Sequence, residues 1–204
     1  MSAQPEHTIT VDLEPVRGVE LAHDDWGANC GPTALAAALG MTMDEVRPAV
    51  APTGIFKGYM GVRDLRLAVV RAGRELARSW SNPAERVDAL RVGDELKRQA
   101  KRLRWGDRPM LVLVRFHGPW DLVQRAAACY RHAFCYRHCD APQGREDEQR
   151  IHGPGWVLDA GQRTADGAAY WLPARVWSRR ALLDLIPDRG TGEVAISWVG
   201  EIAP

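Results

Sequence analysis

A chain of 204 residues with 46% hydrophobic side chains is long enough to bury one good core, and two complete domains would each be small, so a single domain over 1–204 is expected. Lys+Arg 27 against Asp+Glu 26 leaves a formal charge of +1, which removes any global electrostatic case for binding nucleic acid or an acidic membrane. Met1 to Thr10 carry no basic stretch followed by an apolar one, and no segment approaches ~18 consecutive apolar residues; neither a signal peptide nor a membrane span is expected, and a cytoplasmic location is.

The first readable element follows Asn29-Cys30-Gly31-Pro32-Thr33. Pro32 suits the first helical position, the Ala/Leu run to Leu39 has high helix propensity, and Gly40 supplies an exit. Cys30 therefore sits at or just before a helix N-terminus, where free N–H groups and the positive end of the dipole favour a thiolate. An isolated cysteine is most often a packing residue. The helix start argues for a nucleophile instead.

Thr42-Met43-Asp44-Glu45 has the form of a capping box, predicting a second helix that ends near Arg47-Pro48. A Pro/Gly-rich connector runs from Ala51 to Gly61. Val62 to Ala72 predicts an amphipathic helix with Val62, Leu65, Val69 and Val70 on its buried face, ended by Gly73. Asn82-Pro83 opens a further helical stretch, broken near Gly93, that reaches about Arg104 and offers Val87, Leu90, Leu96 and Leu103 to the core. Its Lys97, Arg98, Lys101, Arg102 and Arg104 have no interleaved aromatic residues, as a nucleic-acid surface would, and read as a solvated face.

From Met110 the character changes. Met110 to Val114 predicts a central strand; Tyr130 to His138 and Gly155 to Asp159 predict two more, joined as a hairpin by a charged loop, Asp140 to Arg150. A helix from about Ala174 to Leu185 precedes a last strand, Glu193 to Val199. Helices early and strands late make an α+β architecture, with a helical half about 26–105 and a sheet half about 106–204.

A thiol nucleophile needs a base, commonly a histidine oriented by a carboxylate. His132 lies early in one predicted strand and Asp159 at the end of the next, so the pair can meet on one face of a hairpin and aim the imidazole at Cys30. His138, six residues on, points to the same face in a regular strand and is the competing base; His152 and His117 are outsiders. The spacing Cys129-x2-His132-x2-Cys135-x2-His138-Cys139 also invites zinc. In a strand, however, the three cysteines point one way and the two histidines the other, so no metal is expected and Cys129, Cys135 and Cys139 read as packing residues. Four cysteines, three of them within eleven residues, are not the framework of a disulfide-stapled fold and suit a reducing compartment. Of eight tryptophans, Trp26 and Trp156 flank the candidate Cys and Asp and are placed at a cleft wall; the others are assigned to packing.

Asn-Cys-Gly-Pro-Thr-Ala-Leu at 29–35, His-Ala-Phe at 132–134 and Trp-Val-Leu-Asp at 156–159 resemble, in content and order, papain-like cysteine peptidases. The closest likeness is to their bacterial branch, which includes the bacteriocin leader-processing peptidases. The resemblance covers roughly 20–45 and 128–162. It implies a papain-like fold, its catalytic Cys at a helix start packed on a C-terminal antiparallel sheet, and hydrolysis of an amide, isopeptide or thioester bond in a peptide or protein through an acyl-enzyme. It further implies Cys30 as nucleophile, His132 as base, Asp159 as orienting group, and no cofactor. One departure stands out. The family places an oxyanion-donating glutamine about six residues before the cysteine, and this chain has Asp24 there. An ionised carboxylate cannot donate, which leaves the N–H of Cys30 with Asn29, His23 or the Trp26 indole, and one lost donor typically costs about 10²–10³ in rate. Two alternatives remain beside a hydrolase: a transglutaminase-like acyltransferase, and a catalytically decayed module that binds a protein partner.

Overall fold

The computed structural model of the chain describes residues 13–20, 30–51, 60–81, 85–117, 131–185 and 192–203. The alanine-rich run forms α1, Cys30–Leu39, with all but two of its residues buried, as expected of a helix that is apolar on every side and central to a core. Gly40 ends it at φ 64°, a left-handed turn in which the Met41 N–H returns to the Ala36 carbonyl at 3.0 Å. Thr42 and Glu45 make the predicted capping box, and α2 spans Met43–Val50. Burial of Val46, Ala49 and Val50 carries it two residues past Pro48.

α3, Val62–Arg71, buries Leu65, Ala68 and Val69 but leaves Val70 65% exposed. One residue beyond Val69 is a rotation of ~100°, enough to turn Val70 away from the core. Two strands then appear where none is predicted by the local pattern: β1, Leu76–Trp80, and β2, Arg86–Asp88. Both pair antiparallel with the last strand, so the sheet is not confined to 106–204. Edge hydrogen bonds offered by that strand override the helical tendency around 86–88. The Asp88 carboxylate accepts from the Leu90 N–H, opening a 3-10 turn, Ala89–Arg91, and α4 follows at Val92–Arg102. Leu96 is buried as predicted; Leu90, in the 3-10 turn, is 40% exposed. Gly93 is no break in the helix. A Cβ there would stand 2.2 Å from the Ala174 carbonyl oxygen, so the glycine marks a close approach of α4 to another segment.

β3, Pro109–Phe116, and β4, Arg131–Arg137, follow. The predicted charged loop contains α5, Glu146–His152, whose first turn carries Glu146, Asp147 and Glu148 and whose last carries Arg150 and His152, matching the helix dipole. β5, Trp156–Arg163, then β6, Ala169–Pro173, α6, Ala174–Leu185, and β7, Glu193–Ile202, complete the order. Among the described residues seven strands form one antiparallel sheet in the order β1-β7-β3-β4-β5-β6, with β2 beside β1 on the outer edge of β7. The fold is thus a mixture of helices with an antiparallel sheet, as the α+β reading expects.

Alternation along the strands divides the core in two. Leu111, Leu113, Ala133, Cys135 and Leu158 face α1 to α3, whereas Met110, Val112, Phe134, Tyr136 and Val157 join the cluster containing Val92 and Leu96 of α4 and Trp177 of α6. A bulge in β7 adjusts this pattern. Leu113 pairs with Trp198 but Val114 with Ile196, so Ser197 is the extra residue, and Ile196 and Trp198 enter different clusters despite being two apart. The Ser197 hydroxyl donates to the Leu113 carbonyl at 2.9 Å.

Candidate active site

Three elements converge at the N-terminal end of β4. The β4–β5 ladder has its last paired rung at Cys135↔Leu158. One step further, Asp159 lies on the same sheet face as Phe134 and, diagonally, His132. His132 Nε2 and Asp159 Oδ2 are 2.8 Å apart. The His132 ring is stacked toward that of Phe134, with centroids 6.3 Å apart. Cys30 opens α1 on the other face. Its thiol lies beside His132 and the Ala133 backbone, close enough for both to act on its charge.

Asp159 is 1% exposed and fully engaged. Its Oδ1 accepts the Gly161 N–H at 2.8 Å, and its Oδ2 accepts both His132 and the Trp177 indole N–H, the latter at 2.7 Å. Trp177 comes from the first turn of α6 and packs on Phe134 with ring centroids 4.3 Å apart.

These contacts shape the charges. Burial pushes the Cys30 thiol up, but the hydrogen bond and charge of His132 and the Ala133 backbone outweigh it, even against Asp159, and the net shift is down. Burial likewise pushes His132 down. The charge of Asp159, its hydrogen bond and the Cys30 thiol reverse this and raise the imidazole to about 10. Asp159 is raised by burial and lowered further by His132, the Gly161 N–H and the Trp177 indole, ending below the usual carboxylate range. All three shifts favour one arrangement: thiolate, imidazolium, carboxylate. Such a row is equipped for nucleophilic attack and proton return.

No family model, curated protein or solved structure matches the chain. Chemistry at this site is therefore read from its own geometry.

The structure brings Cys30, His132 and Asp159 together and leaves His138 apart. His138 lies just past the far end of β4, where its Nδ1 is 2.8 Å from the Tyr136 hydroxyl. Burial and the charges of Lys101 and Lys97 push it down. His117 is buried just beyond β3, and His152 closes α5, its carbonyl accepting from Lys97 Nζ. Cys135 is buried on the α1 face, and burial pushes its thiol up to about 12; burial also raises Cys139, to about 11. These thiols are poor nucleophiles by comparison with Cys30. Arg98 bridges Glu95 and Glu85, consistent with a solvated, ion-paired face on α4.

One tryptophan expectation needs correction. Trp156 is no cleft wall: it is fully buried among core side chains, with the Arg145 guanidinium 4.4 Å above its ring. Among the described residues the tryptophan at the site is Trp177, which packs in the core as expected and also donates its indole N–H to Asp159. Nothing local marks it, because its partner Asp159 lies 18 residues away across β6. Asp24, with its neighbours His23, Trp26 and Asn29, and Cys129 lie outside the described residues.

Proposed function

We propose that the protein is a cysteine hydrolase of papain-like type, cleaving an amide, isopeptide or thioester bond in a peptide or protein. The observation that carries this reading is the row of Cys30, His132 and Asp159, with its 2.8 Å His132–Asp159 contact and a thiol beside the imidazole at a helix start.

In the proposed reaction the Cys30 thiolate attacks the carbonyl carbon, and the carbonyl π electrons move to oxygen. The Cys30 N–H at the start of α1 is one donor for that oxyanion. The intermediate collapses, the bond to the leaving group breaks, and the His132 imidazolium gives its proton to the leaving nitrogen or sulfur. Neutral His132 then takes a proton from water, the resulting hydroxide attacks the thioester, and Cys30 leaves as thiolate beside a restored imidazolium. Asp159 holds the ring in register throughout.

Iodoacetamide and an electrophilic peptide probe test the reading, with the labelled residue identified by peptide mapping. Fast labelling of Cys30 near neutrality, absent in Cys30→Ala and slowed in His132→Ala, is the expected result. A rate no greater than that of a free thiol overturns it and leaves a protein-binding module.

A further inference from the structure

Among the described residues Trp177 is the one further side chain bonded to the row, and it has no part in the proposed chemical steps. Its indole N–H and the His132 ring N–H share a single oxygen, Asp159 Oδ2, at 2.7 and 2.8 Å. We infer that Trp177 is a positioning residue for the reaction, its indole N–H keeping the Asp159 carboxylate ionised and turned so that Oδ2 stays in line with His132. This inference rests on the Cys30–His132–Asp159 reading above.

An indole N–H can only donate, so it supports the carboxylate and never its acid form. Asp159 needs that support because its side chain is sealed from solvent. With Trp177 removed, only the Gly161 N–H on Oδ1 would resist rotation of the carboxylate away from His132. Trp177 is itself held firmly. It is fully buried, its ring rests on Phe134 at 4.3 Å, and α6 starts at Ala174, where the close approach to Gly93 of α4 leaves no room for adjustment. Among the described residues the titratable groups facing Asp159 are His132 of β4 and Cys30 of α1. From α6 it meets the neutral indole, while Arg175 of the same helix is paired with Asp94 of α4 at 2.9 Å. Trp177 therefore tunes the carboxylate by hydrogen bonding and adds no charge.

The test compares wild type with Trp177→Phe, which keeps a ring and deletes the donor. Two readouts are followed across pH: the carbon NMR signal of the Asp159 carboxyl group, and the rate of Cys30 alkylation by iodoacetamide. Loss of one hydrogen bond to a buried charge raises the Asp159 midpoint by about one pH unit and moves the acid edge of alkylation up with it. An Asp159 midpoint that stays in place overturns the inference. So does an alkylation edge that stays while Asp159 moves, because Trp177 then matters to the carboxylate but not to the thiol. Lower thermal stability with both midpoints unchanged marks a packing residue and overturns it equally. If Trp177→Phe does not fold, the wild-type protein decides: the Trp177 indole proton must titrate with the Asp159 carboxyl, and an indole signal that is flat through that transition is fatal. A wild-type Cys30 no faster than a free thiol removes the catalytic reading and the reaction role with it, a failure distinguishable from that of Trp177 because Asp159 still reports on the indole.

Discussion

Cys30 and His132 belong to opposite faces of the sheet and meet where β4 and β5 part. Strand alternation sends His132 to the α6 face, with Phe134, while α1 delivers Cys30 from the other side. A fully paired ladder would keep them apart. Because its last rung is Cys135↔Leu158, helix start and imidazole meet at the open end.

Alkylation of Cys30 should stay faster below about pH 8 than that of a free thiol, which with a pKa of ~8.5 slows about tenfold for each unit below it. The sign follows from a thiol held below its ordinary value beside an imidazole raised to about 10. His132→Ala removes the main downward influence, so its labelling at about pH 6 should fall on the order of 10- to 100-fold and approach wild type in strong base. Stopped-flow or quenched labelling measures both.

The pairing of His132 with Asp159 should also appear in stability. A raised imidazole stabilises fully below its unfolded value of ~6.5, and the contribution is lost as pH rises toward about 10. A lowered carboxylate stabilises above its unfolded value of ~3.9 and loses its effect as pH falls through the folded value. The melting-temperature advantage of wild type over Asp159→Asn should therefore be greatest between about pH 4 and 6.5 and shrink on both sides. Thermal melts from acid to base check it; an advantage that grows toward high pH contradicts the assignment.

Gly31 has no space for a side chain. An added Cβ would stand 2.7 Å from Met60 Sδ and 2.9 Å from Met60 Cβ, directly beside Cys30. Gly31→Ala should cost about 1–3 kcal/mol and slow Cys30 labelling as the helix start shifts. Adding Met60→Ala should restore part of the labelling rate, since it removes the obstacle. Denaturant midpoints and alkylation rates on the single and double variants measure the coupling.

Gly93→Ala tests a different contact. Alanine favours helix over glycine by ~1 kcal/mol, so in an open helix the change would stabilise. Here the new methyl would meet the Ala174 backbone oxygen at 2.2 Å, which no rotamer relieves. A net loss of about 2 kcal/mol is expected in denaturant unfolding.

Much of this molecule is legible from local pattern. The alanine run after Pro32, the capping box at Thr42 and Glu45, and the apolar run Met110 to Val114 all form the predicted elements, because caps and periodicity act over about four residues. The contact of His132 with Asp159 is partly legible for a related reason. Parity within β4 puts His132 on the face of Phe134, and the β4–β5 register, which the structure supplies, puts Asp159 there too.

What remained hidden depends on partners far along the chain. β2 is a strand because β7 offers it an edge, against the helical tendency of its own residues. Trp156 lies in the core rather than at a cleft wall, and packing, not proximity in sequence to Asp159, makes Trp177 the indole that reaches the carboxylate. By itself the sequence determined the helix that starts at Cys30 and the faces to which alternate residues of each strand point. Only the tertiary structure decided where β4 and β5 part and which tryptophan closes on Asp159, since both follow from contacts between segments that no local preference encodes.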